Sequence, residues 1–84
     1  MKNKILINLY VSYLDETYEL FIPTNESIKK VVDLMVKSIN DLSDNTLDLS
    51  IHYNIIDPTT SEIYKETSIV RDTNLVNGKK VIMI

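Results

Sequence analysis

Between Ile28 and Ile39 the apolar residues return at helical spacing, and this stripe, flanked by segments that alternate with a period of two, constrains the chain most. Ile28, Val31, Val32, Met35, Val36 and Ile39 fall on one face, and Lys29, Lys30, Asp33, Lys37 and Asn40 fall opposite. Leu34 lies off the stripe. Pro23 removes a backbone donor and ends what precedes, and Thr24, Asn25 and Ser27 offer side-chain oxygens for a cap. The spacing therefore predicts one helix, from about Ser27 to Asp41.

Upstream, Ile5, Ile7, Leu9 and Val11 alternate with Leu6, Asn8 and Tyr10, and Tyr18, Leu20 and Ile22 alternate with Glu19 and Phe21 across a polar turn at Asp15-Glu16. This predicts a β-hairpin. Downstream, Ser43-Asp44-Asn45-Thr46 breaks the pattern, and Leu49, Ile51, Tyr53 and Ile55 alternate with Ser50, His52, Asn54 and Ile56 as an expected third strand. Asp57 to Ser61 is rich in turn-forming side chains, Ile63-Tyr64 reads as a short strand, and Asn77-Gly78 is the sharpest turn signal before a last strand, Lys80 to Ile84. Thr67 to Val76 is too short and too polar for a second helix of comparable length.

An amphipathic helix between two hairpin-like halves needs a sheet to cover it, and a right-handed crossover places the last strand beside the first, in parallel. The expected class is α+β: a β-grasp, ubiquitin-like mixed sheet of about five strands packed on one α-helix. At 84 residues the chain has room for one core, and residues 1–84 are expected to form a single domain. Packing is expected to bring Ile28, Val32, Met35 and Ile39 against Ile5, Ile7, Leu20, Ile51 and Val81.

Composition narrows the functions. Apolar residues make up 44% and charged residues 25%, which favours an ordered fold over a disordered chain. Twelve acidic against nine basic residues give a net charge of −3 with dispersed lysines, so nucleic acid is not an expected partner. The absence of cysteine removes disulfides, thiolate nucleophiles and thiolate metal sites. No apolar run reaches the roughly 18 residues of a membrane span, and no signal peptide opens the chain, so a cytoplasmic protein without direct membrane insertion is expected. Alanine, glutamine and tryptophan are missing and isoleucine and asparagine abound, the usage that AT-rich codons produce, so a low-GC bacterium is the expected source.

Catalysis is not expected. His52 is the single histidine and faces outward by strand parity, with no second ligand or acid placed beside it by the sequence. Asp41, Asp44 and Asp48 lack the spacing of a calcium loop, and a chain with one glycine holds neither a nucleophile elbow nor a phosphate-binding loop. Neither cofactor nor metal is called for. The distinctive feature is instead the outer sheet face, where parity gathers Leu6, Tyr10, Phe21, Ile82 and Ile84, with His52 and Ile56 nearby, into a candidate protein-binding patch.

Segments of the chain sharpen this picture. Thr17-Tyr18-Glu19-Leu20-Phe21-Ile22-Pro23, then Ile28 to Met35, then Asn74 to Ile84, resemble the YukD/EsaB family of small ubiquitin-like proteins in Gram-positive type VII secretion systems. The resemblance implies a non-conjugated accessory or regulatory protein with a secretion component as partner; burial of the outer apolar patch would also favour a homodimer. The chain departs from that family in longer connections at Asp41–Ser50 and Asp57–Glu62, so no loop contact is carried over. Two rivals stand beside it: a β-grasp docking domain of a larger protein such as a membrane-channel subunit, and a sulfur carrier or protein modifier. The last requires a diglycine end, whereas Val81-Ile82-Met83-Ile84 reads as a strand.

Overall fold

The structure is a computed structural model, and it describes residues 3–42 and 47–84. The expected breaker cluster Ser43 to Thr46, and with it Asp44, lies outside the described residues. Five strands, β1 (Lys4–Val11), β2 (Glu16–Pro23), β3 (Ile55–Asp57), β4 (Glu62–Ile63) and β5 (Lys79–Met83), form one sheet in the order β2-β1-β5-β3-β4. Helix α1 (Ile28–Leu42) packs across one face of it. β1 and β5 run parallel in the middle, and the remaining neighbours are antiparallel.

The hairpin turns through Asp15, whose positive φ of 50° is a conformation that aspartate tolerates better than most residues. The Tyr10 hydroxyl donates to Asp15 Oδ1 at 2.7 Å and holds that turn against β1. At the start of α1, Ser27 Oγ accepts from Lys30 N at 3.2 Å, as an N-cap should. Two further amides that a helix start leaves unpaired find carbonyls in the distant 66–68 segment: Ile28 N donates to Ser68 O and Lys29 N to Glu66 O. The helix is thus anchored from outside its own sequence.

The core is what periodicity predicts. Ile28, Val31, Val32, Met35, Val36 and Ile39 are buried, against Ile7, Leu9, Val11, Leu20, Ile22, Val81 and Met83 from the sheet. Ile5 is half-buried and packs at the edge of this cluster. Residues 64–78 contain a single 3-10 turn, Val70–Asp72, which buries Val70.

The expected third strand is corrected. Only Ile55–Asp57 pairs, and Leu49 and Ile51 are 77% and 39% exposed, so Ile51 is not a core residue. The cause is local competition for hydrogen bonds. Ser50 N and Oγ both donate to Asp48 Oδ1, and Ile51 N donates to Asp48 O, closing a turn where a ladder would have run. Pairing with the last strand begins only at Asn54, whose N–H and C=O exchange two 2.9 Å bonds with Ile84. Leu47 and Tyr53 fill the core instead. The Asn40 side chain holds Leu47 by both backbone groups, and the Tyr53 hydroxyl donates to Asp48 O at 2.9 Å.

Candidate protein-binding face

The strand registers define the face away from the helix row by row. In β1, Ile7, Leu9 and Val11 are buried, so Leu6, Asn8 and Tyr10 point outward. Leu6 stands beside Phe21; Asn8 lies between Glu19 and Lys80; Tyr10 lies between Thr17 and Ile82. Ile82 in turn faces Ile56, and Ile56 faces Ile63. Thr17, Tyr10, Ile82, Ile56 and Ile63 therefore form one transverse row through all five strands. Four of its five members are apolar or aromatic.

Leu6, Tyr10, Ile56 and Ile82 are half-buried, whereas Phe21 and Ile63 are 56% and 57% exposed. Ile84 extends the apolar row by one position along β5, opposite Asn54. The structure therefore brings Tyr10, Ile82 and Ile84 together. Leu6 and Phe21 form a second, smaller patch, because the polar row of Glu19, Asn8 and Lys80 runs between the two.

His52 belongs to neither patch, a correction to the sequence expectation. The backbone joins the ladder only at Asn54, after residue 52, and the His52 ring Nε2 contacts Glu66 Oε1. It lies on the rim of a cleft between α1 and the 49–53 segment, a cleft of about 480 Å³ floored by Val32 and Val36. Parity places a side chain only while the strand stays in its sheet.

Ile63 joins the face opposite Ile56, where the sequence does not place it. Its signal lay in the Asp57–Ser61 turn: that turn folds β4 back on β3 and so sets Ile63 opposite Ile56, but its length alone did not yield the register. Behind the face, Asp57 is 3% exposed and accepts from Asn74 Nδ2 (2.7 Å), Thr59 N (2.9 Å) and Lys79 Nζ (3.1 Å). The Asn74 amide, with help from Thr59 N–H and Lys79, holds its carboxyl down at a pKa of about 2. Asn74 Oδ1 also accepts from the Tyr64 hydroxyl at 2.6 Å. Burial, and then the Asp57 charge, push that phenol up to about 12. This network ties the ends of β3, β4 and β5 together beneath the Ile56–Ile63 end of the row.

Among the described residues no three His, Cys, Asp or Glu side chains cluster as metal ligands, and no helix is long and apolar enough to cross a membrane. No family model and no curated protein matches the chain. Solved structures do. The ubiquitin-like domain of the Mycobacterium tuberculosis type VII secretion system protein EccD1 superposes with a TM-score of 0.74 at 13% identity, over 96% of this chain and 97% of that one. A chain of the MycP5-free ESX-5 inner membrane complex superposes at 0.75 and 8% identity; 98% of this chain is covered, and it spans only 21% of the larger one. A component of the toluene 4-monooxygenase HD complex superposes at 0.74 and 7% identity over 95% of both chains. At such identities the likeness establishes architecture: one helix on a mixed five-stranded sheet, the ubiquitin-like β-grasp fold.

Proposed function

We propose that this chain is a non-enzymatic ubiquitin-like module of a bacterial type VII secretion system, acting in the cytoplasm by binding another protein of that system. The observation that carries the binding role is the transverse row Tyr10–Ile82–Ile56–Ile63, an apolar band on the open face of a small sheet. Sheet faces not covered by a second layer usually carry alternating polar residues. Here the polar residues gather in the neighbouring row instead. The secretion context is supported by likeness to the EccD1 domain and by the YukD/EsaB resemblance of Thr17–Pro23, Ile28–Met35 and Asn74–Ile84.

A second reading, a docking domain of a larger secretion-channel subunit, is favoured by one observation. The ESX-5 chain it superposes on is about five times longer. The length of the native reading frame separates the two.

The test is calorimetric titration of the purified chain against the cytosolic parts of the secretion components encoded beside it. Binding is expected to weaken at least about tenfold in a chain carrying Ile56→Ser with Ile82→Ser, because both side chains would leave the contact. Equal binding by the native and doubly substituted chains would move the interface off this face.

A further inference from the structure

The cleft between α1 and the 49–53 segment has charged banks arranged in an unusual order. Lys29, Asp33, Lys37 and Asp41 follow one another at four-residue intervals, so they form a single ridge of alternating sign along the exposed flank of the helix. Such neighbours often pair within their own helix. Here no two of the four lie within ion-pair distance, the ion pairs among the described residues being Lys79–Asp57 and His52–Glu66. Lys29–Asp33 and Lys37–Asp41 also stand in the weaker order within a helix, lysine before acid, and only Asp33–Lys37 has the stronger one.

The same ridge matches itself when a second copy is laid across it antiparallel. Lys29 of one copy then meets Asp41 of the other, and Asp33 meets Lys37, with each contact made twice about a twofold axis at the level of Met35. Ridges of this kind run obliquely to the helix axis, so two of them align when the helices cross at about 50°, a common packing angle. Beside the ridge lie Leu49 and Ile51, 77% and 39% exposed, over the Val32–Val36 floor. A helix seated along the ridge would cover them. We infer that this cleft is an isologous interface at which two copies of the chain pair through antiparallel α1 helices, leaving the opposite sheet face free for a different partner.

Self-complementary charge is what selects a second copy over an arbitrary protein. A ridge of one sign would repel its own copy, and a ridge in the order Lys-Asp-Asp-Lys would set like charges against each other at every position. Isologous contact also requires each residue to face its mate across the axis, a condition that all four charges meet at once.

Charge exchange tests this directly, by sedimentation equilibrium of the full chain at low and high salt. The native chain is expected to dimerise, more weakly as salt rises. Asp33→Lys with Asp41→Lys makes the ridge wholly basic, and Lys29→Asp with Lys37→Asp makes it wholly acidic; each variant alone is expected to be monomeric, and an equal mixture to recover the dimer. Far-UV circular dichroism confirms that each variant is folded, and recovery in the mixture independently excludes a folding defect. The Ile56→Ser, Ile82→Ser chain is expected to dimerise like the native one. A native chain that stays monomeric to about 0.5 mM, where an association near 1 mM would already register, overturns the inference. So does a dimer that survives both charge reversals, or one lost on altering the sheet face.

Discussion

Lys79 Nζ lies 3.1 Å from Asp57 Oδ1, so the first residue of β5 is tied to the last residue of β3 beneath the sheet's apolar row. Asp57 is buried, and two neutral donors complete its shell. Removing one member of such a set strands the others without partners.

The carboxyl of Asp57 titrates near pH 2, below its ordinary value of 3.8. A group whose folded pKa is depressed stabilises the fold above its unfolded pKa, and that stabilisation is lost as pH falls through the folded one. Thermal stability is therefore expected to decline between about pH 4 and pH 2. Asp48, held down by Ser50, contributes in the same direction from the surface. Differential scanning calorimetry should show a lower melting temperature at neutral pH for Asp57→Asn, with a flatter acid limb. An acid limb as steep as that of the native chain would remove Asp57 from its origin.

Met35 occupies the middle of the buried stripe at 1% exposure. Met35→Ala removes three buried heavy atoms from the core cluster, and is expected to cost about 2 to 5 kcal/mol in urea denaturation. A cost below about 1 kcal/mol would place the helix on the sheet by another face.

Gly78 has a φ of +86°, and a Cβ built there would meet nothing within 4 Å. Space does not require glycine at this position; the backbone does. Gly78 N donates to Leu6 O at 2.7 Å, and Asn77 Oδ1 accepts from Leu6 N at 2.7 Å, so the turn is pinned to β1 just where β5 begins. Gly78→Ala is expected to cost about 1 to 2 kcal/mol from conformation alone. D-alanine, introduced by semisynthesis, is expected to restore stability because its mirrored preference suits a positive φ.

Residues whose positions follow from their own periodicity were legible in the sequence. The α1 stripe, the β1–β2 alternation and the Asn77-Gly78 turn each depend on near neighbours, and each stands where it was expected. Leu49 and Ile51 kept a strand's alternation but had no strand to pair with, since Asp48 and Ser50 satisfied the local backbone first. His52 was drawn away from the sheet face by the same departure. Ile63 depends on the exact register of the β3–β4 turn, which the turn's length alone does not give, and the Asp57–Asn74–Lys79 network joins segments 17 and 22 residues apart, which no local pattern encodes. The centre of the candidate face, Tyr10 with Ile82, was therefore readable. Its far end at Ile63 and the exclusion of His52 were not.

Leu49 and Tyr53 separate the observed loop from the strand that alternation suggested, because a continuous strand would bury both. In the structure Leu49 is 77% exposed, while Tyr53 is 6% exposed, packs edge-on against Tyr13 at 5.4 Å between ring centroids, and donates its hydroxyl to Asp48 O. Leu49→Ser is accordingly expected to change folding stability by no more than about 0.5 kcal/mol, the range of ordinary surface substitutions. Tyr53→Ala is expected to cost about 3 to 5 kcal/mol, comparable to losing a buried phenylalanine. Tyr53→Phe isolates the hydroxyl and is expected to cost about 1 kcal/mol, since Asp48 O would lose one partner. These values are to be measured by urea denaturation in dilute solution, so that any pairing of copies through the nearby cleft does not add to the apparent stability. Equal, large costs at Leu49 and Tyr53 would restore the longer strand and bring His52 back to the sheet face.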